Sequence, residues 1–438
     1  MAWGFDCGPG AATTLPPAEK TSLMHPFLIA ILVLIGLKLV VELVLDWLNR
    51  GEVLRHADRL PDAFAGVMDE ETYKKSVSYT LTHTRFGMIE TAWDAFVLAV
   101  VLASGLLPWL FDGLTGWLGT GLWGQGLVLF AILIVLSLPG IPLELYSTFK
   151  IEARYGFNKT TLGTWVSDKL KGLLLGAILG YPLLCLLLWF FRALPQTWWL
   201  WAFVAFFGFQ LLLLLLYPRL ILPLFNKLSP LPEGDLRERL LKLGERTGFS
   251  ARTIHVMDGS KRSTHSNAFF TGFGKFRRIV LYDTLVEQLE DIELESVLAH
   301  EIGHYKKGHI PKMLILSALA SLAGFAVLGW VAGQAWFFQA FGFQVADGMV
   351  PALLLFMLLS GLFSFWLSPL MNGLSRKHEY EADAFAREVM GGDPQPLVAS
   401  LHKLTEKNLG NLTPHPLYSA FHYSHPTLLE RETALKGG

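Results

Sequence analysis

The chain has 438 residues, 52% hydrophobic and 17% charged, with a formal net charge of −1 and a mean hydropathy of +0.41. Soluble domains carry about 25% charged residues, so this is the composition of a membrane protein. The charge balance offers no basic field for nucleic acid and no acidic one for cationic partners, and two cysteines, Cys7 and Cys185, are too few for a disulfide framework or a cysteine metal motif.

Residues 1–26 read as a polar, proline-containing tail, without the basic start and small-residue cleavage site of a secretory signal. From about Pro26 to Leu48 the sequence is apolar for long enough to span a bilayer. A polar loop follows, about 49–85, carrying Arg50, Arg55, Arg59, Lys74, Lys75 and Arg85. Apolar runs then fall at about 87–111 and 124–146, and a basic amphipathic stretch at 147–171 separates them from runs at about 172–191 and 197–217. Transmembrane helices one to five therefore occupy 27–219.

Residues 220–311 read as soluble. LRERLLKLGERTGF is an amphipathic helix, with Leu236, Leu240, Leu241 and Leu243 on or near one face. RTIHVMD reads as a strand, and NAFFTGFGKFRRIVLYD as two strands turning around Gly274-Lys275. Asp283 and Thr284 cap the helix that starts at Leu285. A further helix covers about 291–308, a sixth apolar run 312–335 and a seventh 349–371, which leaves 372–438 as a polar, helical C-terminal part.

The 291–308 helix contains VLAHEIGHYKKGH. His300 and His304 are four residues apart and share one helical face, so both imidazoles can grip one zinc ion. Glu301 is then placed to act on a water at that ion as general base. A zinc protease needs a third protein ligand and keeps one position open. SRKHEYEADAFA, just past the seventh run, supplies Glu379 as that ligand, with Asp383 four residues on to accept a hydrogen bond from a ligand imidazole. His309 lies at the wrong angle for the same ion and reads as structural, and His378 faces away from Glu379. A polar donor near the open position would stabilise the oxyanion, and His425 is a candidate, although by chemistry alone a surface histidine is the safer reading.

Topology supports the ligand set. Two spans separate His304 from Glu379, so both emerge on one side, and the ion belongs at or just inside the membrane surface. All basic connections fall on that same side, which the positive-inside rule makes the cytoplasm. Such a site suits substrates that are themselves membrane-associated.

The sequence resembles the type I CAAX prenyl proteases, integral-membrane zinc metalloendopeptidases of the gluzincin class, over most of its length from about residue 27. The resemblance rests on MDGSKRSTHSNAFFTGFGKFRRIVLYDTL, VLAHEIGHYKKGH, SRKHEYEADAFA and SHPTLLER, and on MDEETYKKS and YGFNKTTLGTWVSDKLKG. It implies a mainly α fold, with seven transmembrane helices in an α-barrel around a water-filled chamber, closed by a gluzincin-type domain with a small β-sheet. It implies one zinc on His300, His304 and Glu379, and catalysis by Glu301. It also implies that Asn267 and Ala268 pair with the substrate backbone, and that His425 and Arg431 line the cleft.

The expected activity is hydrolysis of a peptide bond near the C-terminus of a prenylated or otherwise membrane-associated peptide. The expected home is the inner membrane of a bacterium or the endoplasmic reticulum of a eukaryote. One competing reading is a quality-control protease with the same chemistry and no prenyl specificity. The other is a transporter or scaffold with a structural zinc, which usually takes four protein ligands. The cysteine nearest the motif, Cys185, lies inside a span, which disfavours that closed site.

Overall fold

The computed structural model describes residues 24–249, 253–271 and 278–437. Cys7 and the expected turn at Gly274-Lys275 lie outside the described residues. Among the described residues, seven helices are long and apolar enough to cross a membrane: α1 (Pro26–Arg55), α2 (Glu70–Ala103), α3 (Leu122–Tyr155), α4 (Leu162–Ala193), α5 (Trp198–Phe225), α8 (His309–Val331) and α9 (Met349–Val389). The chain is an integral membrane protein.

These helices outrun the apolar stretches that announce them. The segment 49–85, expected as a loop, is largely helix: α1 continues to Arg55 and α2 already starts at Glu70, where Asp69 caps it by accepting from the Thr72 amide at 2.7 Å. Apolar runs mark where a helix meets lipid, whereas backbone hydrogen bonding carries the helix on wherever its polar half finds a protein surface. Here Tyr73 is buried, and Ser76 Oγ donates to the Leu409 and Gly410 carbonyls at 3.2 and 2.8 Å. The second span also ends earlier than expected, at Ala103, because Gly105 takes a left-handed φ of 77° and starts a separate short helix, Leu106–Leu118.

A large apolar cluster joins the spans, with Val128, Leu129 and Ile132 of α3, Leu188 of α4 and Leu354 and Leu355 of α9 almost wholly buried. Outward side chains such as Val33, Leu37, Phe96 and Leu319 are exposed, as lipid-facing residues are.

Between α5 and α8 lies a four-stranded sheet of β1 (Leu228–Pro230), β2 (Ile254–Met257), β3 (Ala268–Thr271) and β4 (Arg278–Tyr282) in the order β1-β2-β4-β3. β3 is antiparallel to β4, with Ala268 opposite Leu281, and β2 is parallel to β4. β3 is thus an edge strand. Packed on this sheet are α6 (Asp235–Arg246) and α7 (Asp291–Lys306), through Leu240, Leu243, Leu281, Leu294, Leu298 and Ile302. Glu295 on α7 is buried and clamps α6 through Arg239 at 2.6 Å and Arg246 at 3.3 Å. After α9, helices α10 (Gln395–Lys407) and α11 (Leu428–Lys436) complete the polar part.

Two stretches far apart in sequence join the membrane part to the sheet. Asn158 pairs with Ser263 as an isolated bridge, and the Thr264 amide donates to the Phe157 carbonyl at 3.1 Å. Arg262 binds Asp168 of α4 through two hydrogen bonds, at 2.8 and 3.0 Å, and His265 stacks on Phe157 at 4.0 Å. The segment leading into β3 is therefore anchored to the ends of α3 and α4.

Candidate metal centre

α7 crosses α9 closely enough to bring HEIGH against EYEAD. The contact is made by small residues: a Cβ on Gly303 would stand 3.0 Å from the Cα and the carbonyl oxygen of Ala382. Leu298, Ala299 and Ile302 bury the other side of α7 in the core of the sheet domain. His300 and His304 therefore face α9, where Glu379 and Asp383 wait one turn apart.

His300 Nε2 lies 3.2 Å from His304 Nε2, and the two stand 3.3 and 3.4 Å from the oxygens of Glu379. Among the described residues this trio is the group of ligand atoms lying within 4.8 Å of one another. At His300 the remote nitrogen is held: Nδ1 donates to Asp383 Oδ1 at 2.7 Å, which turns the Nε2 lone pair towards the cluster. Asp383 is fixed in turn by Arg431, whose guanidinium reaches it at 2.8 and 2.5 Å.

His304 has a matching support. Its Nδ1 lies 2.9 Å from Nδ1 of His309, and His309 Nε2 lies 3.0 Å from Glu381. A chain in which His304 donates to His309 and His309 donates to Glu381 presents the His304 Nε2 lone pair to the cluster as well. The expectation that His309 is only structural misses this position. The signal is Gly308, whose φ of 67° breaks the helix and returns His309 towards His304. His378 stacks on His309 at 4.1 Å, outside the ligand trio.

With both imidazoles neutral, the two Nε2 lone pairs and the Glu379 carboxylate converge and repel unless a cation joins them. Glu379 Oε2 is buried without a hydrogen-bond partner, so the site fits a metal ion. The protons are divided unequally. Burial lowers the His300 pKa, but the carboxylates of Asp383 and Glu379 outweigh it and lift the group to about 9, so a metal ion would bind here by displacing that proton. Burial and the charge of His300 take His304 down to about 4. At Glu301 burial raises the pKa and Glu379 raises it further, against the pull of His300 and Arg431.

Glu301, His304 and Glu379 line a cavity of about 540 Å³, walled also by Phe269 of β3, Leu214 of α5 and Met313 of α8. The metal site thus opens between the edge strand and the membrane helices. His425 joins it: Nε2 lies 3.5 Å from Glu379 Oε1, and Nδ1 is engaged by Ser424 Oγ at 3.0 Å. Asn267 is exposed at the start of β3, where its side chain accepts from the Ala268 amide at 2.8 Å and its carbonyl from Tyr282. Arg431, expected along the cleft, is buried on the Nδ1 side of His300, where it binds Asp383.

Membrane helices carrying this trio define a membrane metalloendopeptidase. A family model described as "CAAX prenyl protease N-terminal, five membrane helices" matches residues 50–227, and one described as "Peptidase family M48" matches residues 230–437. The chain belongs to this family of CAAX prenyl proteases, the M48 metallopeptidases. It is 36% identical to CAAX prenyl protease 1 of Saccharomyces cerevisiae, with 95% of this chain and 97% of the yeast protein covered. The CAAX prenyl protease 1 homolog of Homo sapiens is 32% identical, with 89% and 91% covered. The crystal structure of S. mikatae Ste24p superposes with a TM-score of 0.87 at 34% identity, covering 94% of this chain and 99% of that one.

Proposed function

We propose that the protein is a zinc-dependent endopeptidase that cleaves prenylated, CAAX-type or other membrane-associated peptides near their C-terminus. The observation that carries the reading is the His300–His304–Glu379 trio at the head of a cavity shared by an edge strand and two membrane helices. The relatives named for CAAX processing support the substrate class.

His300, His304 and Glu379 would hold a zinc ion, which would supply a Lewis acid for the scissile carbonyl and lower the pKa of a water to near neutrality. Glu301 takes the proton from the water and passes it to the leaving amine. Its position next to His300 and beside the trio puts the carboxylate within reach of that water, and burial favours its taking up a proton. His425, with Nδ1 occupied by Ser424, offers Nε2 to the developing oxyanion. The substrate lies extended along the free edge of β3 at Asn267 and Ala268, exchanging backbone hydrogen bonds with it. Arg431 acts at one remove: it holds Asp383, which orients His300.

The seven spans form a barrel around a hydrated chamber. Charged residues inside the spans support this, since Lys38 pairs with Glu42 at 2.6 Å and both line a cavity of about 260 Å³ with Asp94 of α2. The catalytic domain faces the cytoplasm, on the side of the basic connections, in a bacterial inner membrane or the endoplasmic reticulum.

The test is Glu301→Gln in the purified full-length chain. Zinc content should stay at one per chain, and hydrolysis of a farnesylated CAAX peptide should fall by a factor of about 100 or more. Undiminished hydrolysis would remove Glu301 from the mechanism. Equal cleavage of the same peptide without its farnesyl group would turn the assignment towards quality control of membrane proteins.

A further inference from the structure

A second cavity, of about 980 Å³, lies away from the metal centre between α1, α2 and α3. Four cations line it: Arg50 of α1, Lys74 and Arg85 of α2, and Arg154 of α3. All are exposed, and Arg50, Lys74 and Arg85 have no ion-pair partner among the described residues. Their neighbours differ: Arg55 is engaged by Glu52 and Arg59 by Asp62, each at 2.8 Å. Arg50, Lys74 and Arg85 thus bring three unpaired charges to one cavity.

The other half of the argument is the face of α2 on which they sit. Lys74, Ser78, Thr82 and Arg85 follow one another at helical spacing along the cavity. The same face continues as Ile89, Trp93, Phe96 and Val100, all exposed and all in a membrane-crossing helix. His83, Glu90 and Asp94 occupy the opposite face. One stripe of α2 thus changes from cationic to lipid-facing within one turn, between Arg85 and Ile89. Phe86 stacked on Tyr146, with ring centroids 5.3 Å apart, adds an apolar wall at that boundary.

A soluble anion would match only the cationic half of this surface. A molecule with a phosphate head and apolar tails matches both. Exposed guanidinium and ammonium groups at a bilayer surface attract anionic headgroups, and a phosphate accepts from several at once. We propose that this cavity holds the headgroup of an anionic phospholipid, with its phosphate on Arg50, Lys74 and Arg85 and an acyl chain along Ile89 and Phe96. The basic connections of the chain lie on the same side, where an anionic leaflet would supply the ligand.

Native mass spectrometry tests this on the full-length chain released from phosphatidylcholine nanodiscs doped with phosphatidylglycerol. The wild type should retain a phosphatidylglycerol in preference to phosphatidylcholine. Arg50→Gln, Lys74→Gln and Arg85→Gln should each weaken retention about five-fold, while Arg85→Lys and the already paired Arg59→Gln leave it nearly unchanged. A fold defect would appear in Arg85→Lys as well, so that variant isolates the charge. Ile89→Gln should weaken the lipid but not glycerol 3-phosphate. Retention by Arg85→Gln equal to wild type, or no preference for the anionic lipid, overturns the proposal. It is equally overturned if glycerol 3-phosphate displaces the lipid at comparable concentration, which would mark a soluble-phosphate site. A raised KM for a farnesylated peptide in Arg85→Gln, with lipid retention intact, would assign the cavity to the substrate instead.

Discussion

Gly303 lies against Ala382, so close that a Cβ on the glycine would meet the Ala382 Cα and carbonyl oxygen at 3.0 Å. Gly303 precedes the proposed ligand His304, and Ala382 precedes Asp383, so the distance between the two helices is the distance between the halves of the candidate metal site. Gly303→Ala should cost about 1–3 kcal/mol through forced separation, more than the roughly 1 kcal/mol it gains in helix propensity. Melting temperature and zinc content of the purified variant check this. Gly51→Ala on α1, where nothing stands within 4 Å, should lose neither.

Glu379 is the proposed ligand that arrives from outside α7. Glu379→Ala should reduce bound zinc well below one per chain, read by metal analysis after desalting. An unchanged stoichiometry would exclude it as a ligand.

Asp383 and Arg431 form a buried pair behind His300, at 2.8 and 2.5 Å. Asp383→Ala should destabilise by about 3–5 kcal/mol, because it strands a buried guanidinium. Adding Arg431→Met should recover much of that stability without restoring zinc affinity, since His300 still lacks its acceptor. Thermal unfolding and chelator competition on the same samples separate the two effects.

The His304–His309–Glu381 chain predicts a loss of affinity without a loss of any ligand. His309→Ala should weaken zinc binding about 10–100-fold, and Glu381→Gln by less, while Lys377→Gln on the surface changes nothing. Competition with a chelator of known affinity measures it.

His265 offers a pH-dependent clamp between the segment entering β3 and the end of α3. Burial lowers its pKa, but Glu152 and Asn408 outweigh burial, so the folded value is raised above 6.5. A histidine raised on folding contributes stability that is fully present below the unfolded pKa and is lost as pH rises through the folded value. The melting-temperature gap between wild type and His265→Asn should therefore be widest below about pH 6.5 and shrink above it. Because the ring is part exposed, the gap should be small.

Much of the site was legible because its signal is local. His300, Glu301 and His304 sit within five residues, and helical periodicity alone puts the two imidazoles on one face. Glu379 and Asp383 follow from the same periodicity once an even number of spans returns the chain to one side. The positions missed are those fixed between segments. His309 matters because Gly308 turns the chain back, and Arg431 stands behind His300 because it binds the buried Asp383. β1 went unread because Leu228–Pro230 is too short to show alternation and forms only through its partner β2.

The sequence by itself determined the seven spans, the metal-binding pattern and the polar domain divided by two of those spans. Each of these depends on residues near one another along the chain, where spacing maps directly onto a helix face or a bilayer width. Tertiary structure alone decided how far each helix runs beyond the lipid, which strand edge stays free beside Phe269, and which side chain supports each ligand imidazole. Those outcomes depend on close approaches such as Gly303 on Ala382, between residues that spacing in the chain does not relate.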